Sequence, residues 1–285
     1  MPGIDLHTHS SCSDGTAPPA EVVRLAAEAG LEVLALTDHD TTEGLAEAEA
    51  AGAELGIEVV PGIELSAEHD GRSVHVLAYW ADPAEPELRA ELERLRDERL
   101  GRAAAIVEKL RGLGLEVSLD RVREIAGGGP IVRPHIAQAL VEAGAVASEQ
   151  EAFDRYIADG GPAYVEKHAL HPVDAVRLVL RAGGVCVLAH PGLWDDRSGA
   201  SGVPEEVIEA MAAAGMHGLE VNHPDHEPET RERYRRVAAR LGLVPTGGSD
   251  FHGDRLERSP LGAALCDPEA YARLRAFAAR SAEEA

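Results

Sequence analysis

Cysteine and aromatic residues are the scarce components of this 285-residue chain, with three cysteines and only 4% Phe, Trp and Tyr together. Cys12, Cys186 and Cys266 form no CxxC pair and no even set, so neither a disulfide framework nor a thiolate zinc site is expected. With so few rings, the core has to be built from Ala, Val, Leu and Ile, and 45% hydrophobic residues suffice for a sizeable one. No apolar run approaches the roughly 20 residues needed to cross a bilayer. The segment Met1 to His7 has neither the basic start nor the apolar stretch of a signal peptide. The expectation is a cytoplasmic globular protein, with no membrane association and no obligate protein partner. Basic residues are also in deficit: 27 Lys and Arg against 50 Asp and Glu give a formal net charge of −23. A field of that sign disfavours loose binding to nucleic acid or anionic lipid. It still permits an anionic substrate, because bound cations reverse the potential inside one pocket.

What the chain does contain is alternation. Strand candidates run from Ile4 to His9, Glu32 to Thr37, Glu58 to Ile63, Val74 to Tyr79, Gly184 to Ala189, Gly218 to Asn222 and Leu243 to Gly247. Helical stretches such as Pro19 to Ala29, Thr42 to Leu55, Pro204 to Ala214 and Pro228 to Leu241 lie between most of them. This pattern predicts βα units and a mainly parallel sheet, open or closed into a barrel. From about Pro83 to Gly161 only helical periodicity is found, with Leu88, Leu92 and Leu95 recurring through a charged stretch. Further helices are predicted near Leu119 to Ile125, Pro134 to Ala143 and Glu149 to Ile157, and Gly127 to Pro130 reads as a loop. The expected organisation is an α/β body of residues 1–82 and 162–285 carrying a helical insertion, 83–161.

The placement of histidine carries the chemistry. His7 and His9 end the first strand candidate two residues apart, so both rings project from one face. Asp14 follows. Later strands lead into Asp38-His39-Asp40, Glu64, His190-Pro191 and Asp250-Phe251-His252, and His75 lies within another. The expected location is the C-terminal edge of a parallel sheet, where active sites of such folds lie. One strand-end histidine is ordinarily a hydrogen-bonded structural residue, but burying this many polar groups together without metal would be costly. Nitrogen and oxygen donors without sulfur suit Mn, Fe or Zn. Six His with Asp14, Glu64 and Asp250 exceed the needs of one ion. They suit two or three divalent ions, with Glu64 bridging a pair. Such clusters generate hydroxide near neutral pH and clamp the oxygens of an in-line displacement at phosphorus.

Taken in order, His7-Thr8-His9, Asp38-His39-Asp40, Glu64, His75, His190-Pro191 and Asp250-Phe251-His252 resemble the PHP family of polymerase and histidinol phosphatase domains. The resemblance implies a distorted (β/α)7 TIM-like barrel holding up to three metals. It assigns one ion to His7, His9, Glu64 and Asp250, a second to Glu64, His75 and His190, and a third to Asp14, His39 and His252. In some family members histidine replaces the residue at Asp14. Ser13-Asp14-Gly15, Leu36 to Asp40, Arg99 with Arg102, and Arg133-Pro134-His135 are most similar to the TrpH-like branch. That branch includes nucleoside 3′,5′-bisphosphate phosphatases and enzymes trimming RNA from its 5′ end. The resemblance gives substrate phosphate to Arg99, Arg102, Arg133 and His135, and catalysis to Glu64, Asp14, His39 and His252. Guanidinium groups match phosphate oxygens and are always charged.

The expected function is hydrolysis of phosphate monoesters of a small phosphorylated substrate. The candidates are a nucleoside 3′,5′-bisphosphate losing its 3′-phosphate, or the 5′ end of short RNA. Histidinol phosphate is a rival, although its cationic ring calls for an acidic wall. An amidohydrolase needs a bridging lysine where Glu64 stands, and a non-catalytic regulatory module would be expected to have lost ligands. Of the other polar residues, Lys167 and His168 are assigned to the surface, His223 and Asp225 are candidates to line the pocket, and His69, His171, His217 and His226 are ordinary histidines. Cys12 lies near the ligands without the surroundings of a nucleophile.

Overall fold

A computed structural model describes residues 3–127, 131–158, 160–165, 170–193, 202–253 and 259–284. Lys167, His168 and the tip of the Gly127 to Pro130 loop lie outside them. Seven strands form one sheet in chain order: β1 (Gly3–Thr8), β2 (Leu31–Leu36), β3 (Glu58–His69), β4 (Arg72–Tyr79), β5 (Val185–Leu188), β6 (Gly218–Asn222) and β7 (Val244–Gly247). β4 runs antiparallel to β3 and β5, and the other pairings are parallel. The chain after β7 returns to β1: Asp250 N donates to His7 O at 2.9 Å, His9 N to Phe251 O at 2.8 Å and Cys266 N to Ile4 O at 2.8 Å. The two edges of the sheet are thus joined, and the α/β architecture is the one the alternation predicts.

One strand departs from the sequence reading. β3 continues six residues beyond Ile63, through Glu64, to a two-residue turn at Asp70-Gly71. Both turn residues have positive φ, 50° and 76°. Asp-Gly is the favoured pair for a hairpin turn of that hand. Glu64 therefore sits in mid-strand, opposite Leu77 of β4.

Helices α1 (Pro19–Glu28), α2 (Leu45–Leu55), α7 (Pro172–Arg181), α8 (Glu205–Ala213), α9 (Pro228–Leu241) and α10 (Pro268–Glu284) surround the sheet. Prolines open α1, α7, α9 and α10, where no backbone N–H is needed. Gly56 and Gly242 stop α2 and α9 in the left-handed conformation, at φ 72° and 71°. The sheet is buried on both faces. Val185 and Val187 pack with α10, and their alternates Cys186 and Leu188 pack with α7, α8 and α9. That is why these strands read as continuous apolar runs.

Between β4 and α7 the described residues contain helices and one isolated β-bridge, Leu170 to Ala67 of β3. The helices are α3 (Pro86–Gly112), α4 (Leu119–Ile125), α5 (Arg133–Glu142), α6 (Glu149–Ala152) and a π-helical turn, Phe153–Ile157. Glu85 caps α3 by accepting from Leu88 N at 2.6 Å. The 27 residues of α3 span about 40 Å and reach two cores. Leu88 and Leu92 pack with the sheet's helices. Ala103, Ile106, Val107 and Leu110 join a separate cluster with Val122, Ile136, Leu140 and Ile157. Each fully buried Leu or Ile there contributes about 1.5–3 kcal/mol over exposure, so α3 has apolar anchors in both clusters. Among the described residues no helix is long and apolar enough to cross a membrane.

Candidate metal centre

Backbone pairing beyond the named strands builds the site. Thr37 N donates to Thr8 O, and Asp40 N and Glu64 N exchange bonds with Glu64 O and Asp38 O. This sets His39 beside Glu64. The Asp38 carboxylate is turned away from the centre. It accepts from Ser10 N, Ser10 Oγ and Ser13 Oγ at 2.8, 2.6 and 2.6 Å, fixing the turn that presents Asp14. The Asp5 carboxylate accepts from Ser249 N and Gly262 N at 2.8 and 2.9 Å, which holds the loop bearing Asp250 and His252. Asp250 adopts φ 53°, a conformation that Asp tolerates and functional sites often retain. Gly248 lies so close to β1 that a Cβ there would meet His7 Cβ at 2.3 Å.

The nine expected ligands converge. Glu64, 1% exposed, is the centre. Its Oε2 lies 3.3, 3.1 and 3.1 Å from His7 Nε2, His9 Nε2 and His39 Nδ1. Its Oε1 lies 2.9 and 3.0 Å from His75 Nδ1 and His190 Nε2. Asp250 Oδ1 is 3.4 and 3.2 Å from His7 and His9 Nε2. Asp14 Oδ1 is 3.2 Å from His252 Nε2, and Asp14 Oδ2 is 3.9 Å from His39 Nε2. Three sets of donor atoms lie within 4.8 Å of one another: His7, His9, Glu64 and Asp250; His9, Asp14, His39 and His252; and His39, Glu64 and His75.

The donors fit metal. His7 Nε2, His9 Nε2 and His39 Nδ1 are buried and make no hydrogen bond, an arrangement that leaves polar atoms unsatisfied unless an ion takes their lone pairs. Ligands held about 2.1 Å from one ion at tetrahedral or octahedral angles lie about 3.0–3.4 Å apart, close to the separations around Glu64.

Electrostatics point the same way. Burial pushes the carboxyls of Glu64, Asp14 and Asp250 up, but the surrounding imidazoles outweigh it and hold all three well below the usual range. Burial also lowers a histidine, yet the Asp250 and Glu64 carboxylates beside Nε2 raise His9 to about 10. Carboxylate neighbours likewise raise His7, His190 and His252 against burial. For His39 burial prevails, and its value falls to about 3. Without metal, then, His9 keeps its proton at neutral pH, whereas ligation needs a bare nitrogen. Loading with Mn²⁺ or Zn²⁺ at pH 7.5 should release at least about one proton per chain. Apparent affinity should climb with pH until His9 deprotonates near 10. Calorimetry in buffers of different ionisation enthalpy measures this; zero proton release would mean the nitrogens are already bare.

A cavity of about 610 Å³ opens beside the cluster, and its lining includes Asp14, His39 and His75 together with Arg99, Arg102 and Arg133. Arg99 pairs with Asp40 Oδ2 and donates to Ser66 Oγ at 2.6 Å. Arg102 Nε donates to Val165 O at 2.8 Å, and its guanidinium lies over Tyr164. Arg133 donates to Ile157 O at 3.2 Å and lies over Phe153. His135 is placed differently. It is 3% exposed, accepts from Val132 N at 3.3 Å and does not line the cavity. His223 is also buried, with Nε2 3.4 Å from Asp250 Oδ2 and Nδ1 accepting from Asp225 N. It supports a ligand position instead of lining the cavity. Sequence reasoning missed Asp5, Ser10, Ser13 and Glu220. Only Asp5, two residues before His7, carried a local signal.

The PHP domain family model matches residues 5–157. The 3′,5′-nucleoside bisphosphate phosphatase of Chromobacterium violaceum is 39% identical over 88% of this chain and 88% of its own length. A 5′-3′ exoribonuclease of Haemophilus influenzae is 34% identical over 87% and 89%. A solved structure from Bifidobacterium adolescentis, described as a metal-dependent phosphoesterase, superimposes with a TM-score of 0.90 at 35% identity, covering 97% of this chain and 96% of that one.

Proposed function

We propose that this chain, which belongs to the PHP family of metal-dependent phosphoesterases, acts on nucleotide phosphate monoesters, with a nucleoside 3′,5′-bisphosphate as the preferred substrate, from which it releases the 3′-phosphate group. The observation that carries this reading is that one cavity is lined both by members of the histidine–carboxylate cluster and by three arginines. A bisphosphate has one phosphoryl group for each set. Its nucleoside can rest against the aliphatic wall that Leu95, Ile106, Ile131 and Val132 provide, and the volume suits a ligand of that size. We take helices 83–161 as the cap that supplies this wall and the arginines.

In this reading His7, His9, Asp14, His39, Glu64, His75, His190, Asp250 and His252 hold two or three divalent ions, Mn, Fe or Zn. Bound there, such ions would supply a hydroxide nucleophile and would offset charge on the phosphoryl oxygens. Glu64 keeps the imidazoles converged, Asp14 and His39 border the cavity where the scissile phosphate lies, and His252 stands behind them against Asp14. Arg102 and Arg133, anchored through backbone carbonyls, hold the second phosphate. Arg99, already paired with Asp40, offers its remaining donors. Short RNA bearing a 5′-phosphate presents the same chemistry. A long polyanion meets repulsion from the net charge of −23 outside the pocket.

The test is phosphate release from adenosine 3′,5′-bisphosphate, a 5′-phosphorylated trinucleotide and histidinol phosphate, with Mn²⁺ and with chelator. Mn²⁺-dependent turnover of the bisphosphate, at least about tenfold above histidinol phosphate in kcat/KM, is expected. Preference for histidinol phosphate would overturn the substrate assignment, and activity surviving chelation would overturn the metal assignment.

A further inference from the structure

Glu220 belongs to none of the donor groups, yet it touches His7, a member of one, and His190, which contacts Glu64. It lies in β6, 1% exposed. Its Oε2 accepts from the backbone N–H of His190 at 2.7 Å. Its two carboxylate oxygens lie 3.2 and 3.3 Å from His7 Nδ1. The opposite nitrogen of that ring, Nε2, faces Glu64 and Asp250 at 3.3 and 3.4 Å and makes no hydrogen bond.

The polarity of these contacts leaves one solution. The His190 backbone N–H can only donate. If His7 Nε2 is to give a lone pair to an ion, the ring's hydrogen must be on Nδ1, which then also donates. Two donors therefore face Glu220, and a carboxylate is acceptor only. A carboxamide of the same length serves them poorly. Its one oxygen, in the Oε2 position, would have to take both donors, while its NH₂ would stand where Oε1 now faces Nδ1 at 3.2 Å. That NH₂ favours the tautomer in which His7 accepts at Nδ1 and carries its hydrogen on Nε2, where the ion would bind.

We infer that Glu220 is a positioning residue: it fixes the tautomer and direction of His7 and anchors the start of the His190 loop, and so sets the affinity for the ion held by His7, His9, Glu64 and Asp250. This rests on the reading of those four residues as metal ligands.

The experiment compares metal-free wild type, Glu220→Gln and Glu220→Asp by Mn²⁺ and Zn²⁺ titration against a chromophoric chelator, with thermal melting of the metal-free forms as the check on folding. Glu220→Gln keeps length and loses one acceptor; it should weaken the site about 10–100-fold. Glu220→Asp keeps both acceptors on a shorter stem and should lose distinctly less. The opposite order, Gln harmless and Asp damaging, would show that Glu220 only fills space, and equal affinity in all three would likewise overturn the inference. If Glu220→Gln does not fold, Glu220→Asp decides alone: affinity within about threefold of wild type supports the acceptor role, and a loss beyond about tenfold removes it. Failure of the ligand reading itself is distinguishable, because wild type would then bind no metal before any variant is compared.

Discussion

Glu64→Gln should cost at least about 10³-fold in kcat/KM, equivalent to about 4 kcal/mol of transition-state stabilisation, and should strip metal from the purified protein. The change is nearly isosteric and leaves β3 intact, so what is removed is charge and one ligand oxygen. Five imidazoles face this one carboxylate, three at Oε2 and two at Oε1. Glu64 belongs to two of the three donor groups, a placement that would suit a carboxylate shared between two ions. An amide nitrogen has no lone pair for a metal, so one of its two oxygen donors is lost outright. The imidazoles also lose the anion that helps raise His7, His9 and His190. Circular dichroism of the variant checks the fold, and elemental analysis with the phosphate-release assay checks the claim. Activity within about tenfold of wild type at full metal content would remove Glu64 from its central place.

Why the sequence pointed to Glu64 but placed it wrongly is instructive. It follows the apolar Glu58-to-Ile63 run, and the polar residues after it read as a strand end. The strand continues because Leu65 and Ala67 are buried and because Asp70-Gly71 turns the chain tightly back into β4. That dipeptide was a local signal for a hairpin; the alternation of strands and helices obscured it. His7 and His9 were legible because a period of two needs no tertiary information. The outer carboxylates were not. Glu220 meets a histidine 213 positions away and Asp38 meets serines 28 and 25 positions away, and a single sequence carries no trace of such pairings. Arg99 shows the same limit from the other side. Its charge was legible, but its engagement by Asp40, 59 positions away, was not. His135 sits one residue past the proline near the start of α5, and helix geometry turned its ring inward beside Val132.

Arg133→Met should separate binding from chemistry. Methionine keeps much of the aliphatic stem against Phe153 and removes the guanidinium from the cavity wall. Charge-assisted hydrogen bonds to phosphate contribute about 1.5–3 kcal/mol each, so KM for adenosine 3′,5′-bisphosphate should rise about 10–150-fold while kcat changes much less. Arg102→Met should do the same, and the double variant should come near the product of the two if the groups act independently. Para-nitrophenyl phosphate, which lacks a second phosphate, is the control. Its turnover should stay within about twofold of wild type in each single variant, because the cluster around Glu64 is untouched. Arg133→Lys should recover only part of the loss, since an ammonium restores charge but not the planar fork. Equal losses on both substrates would mean that the arginines act on the scissile phosphoryl group itself. The second phosphate would then need another home, and the case for a bisphosphate would fall while the metal centre stood.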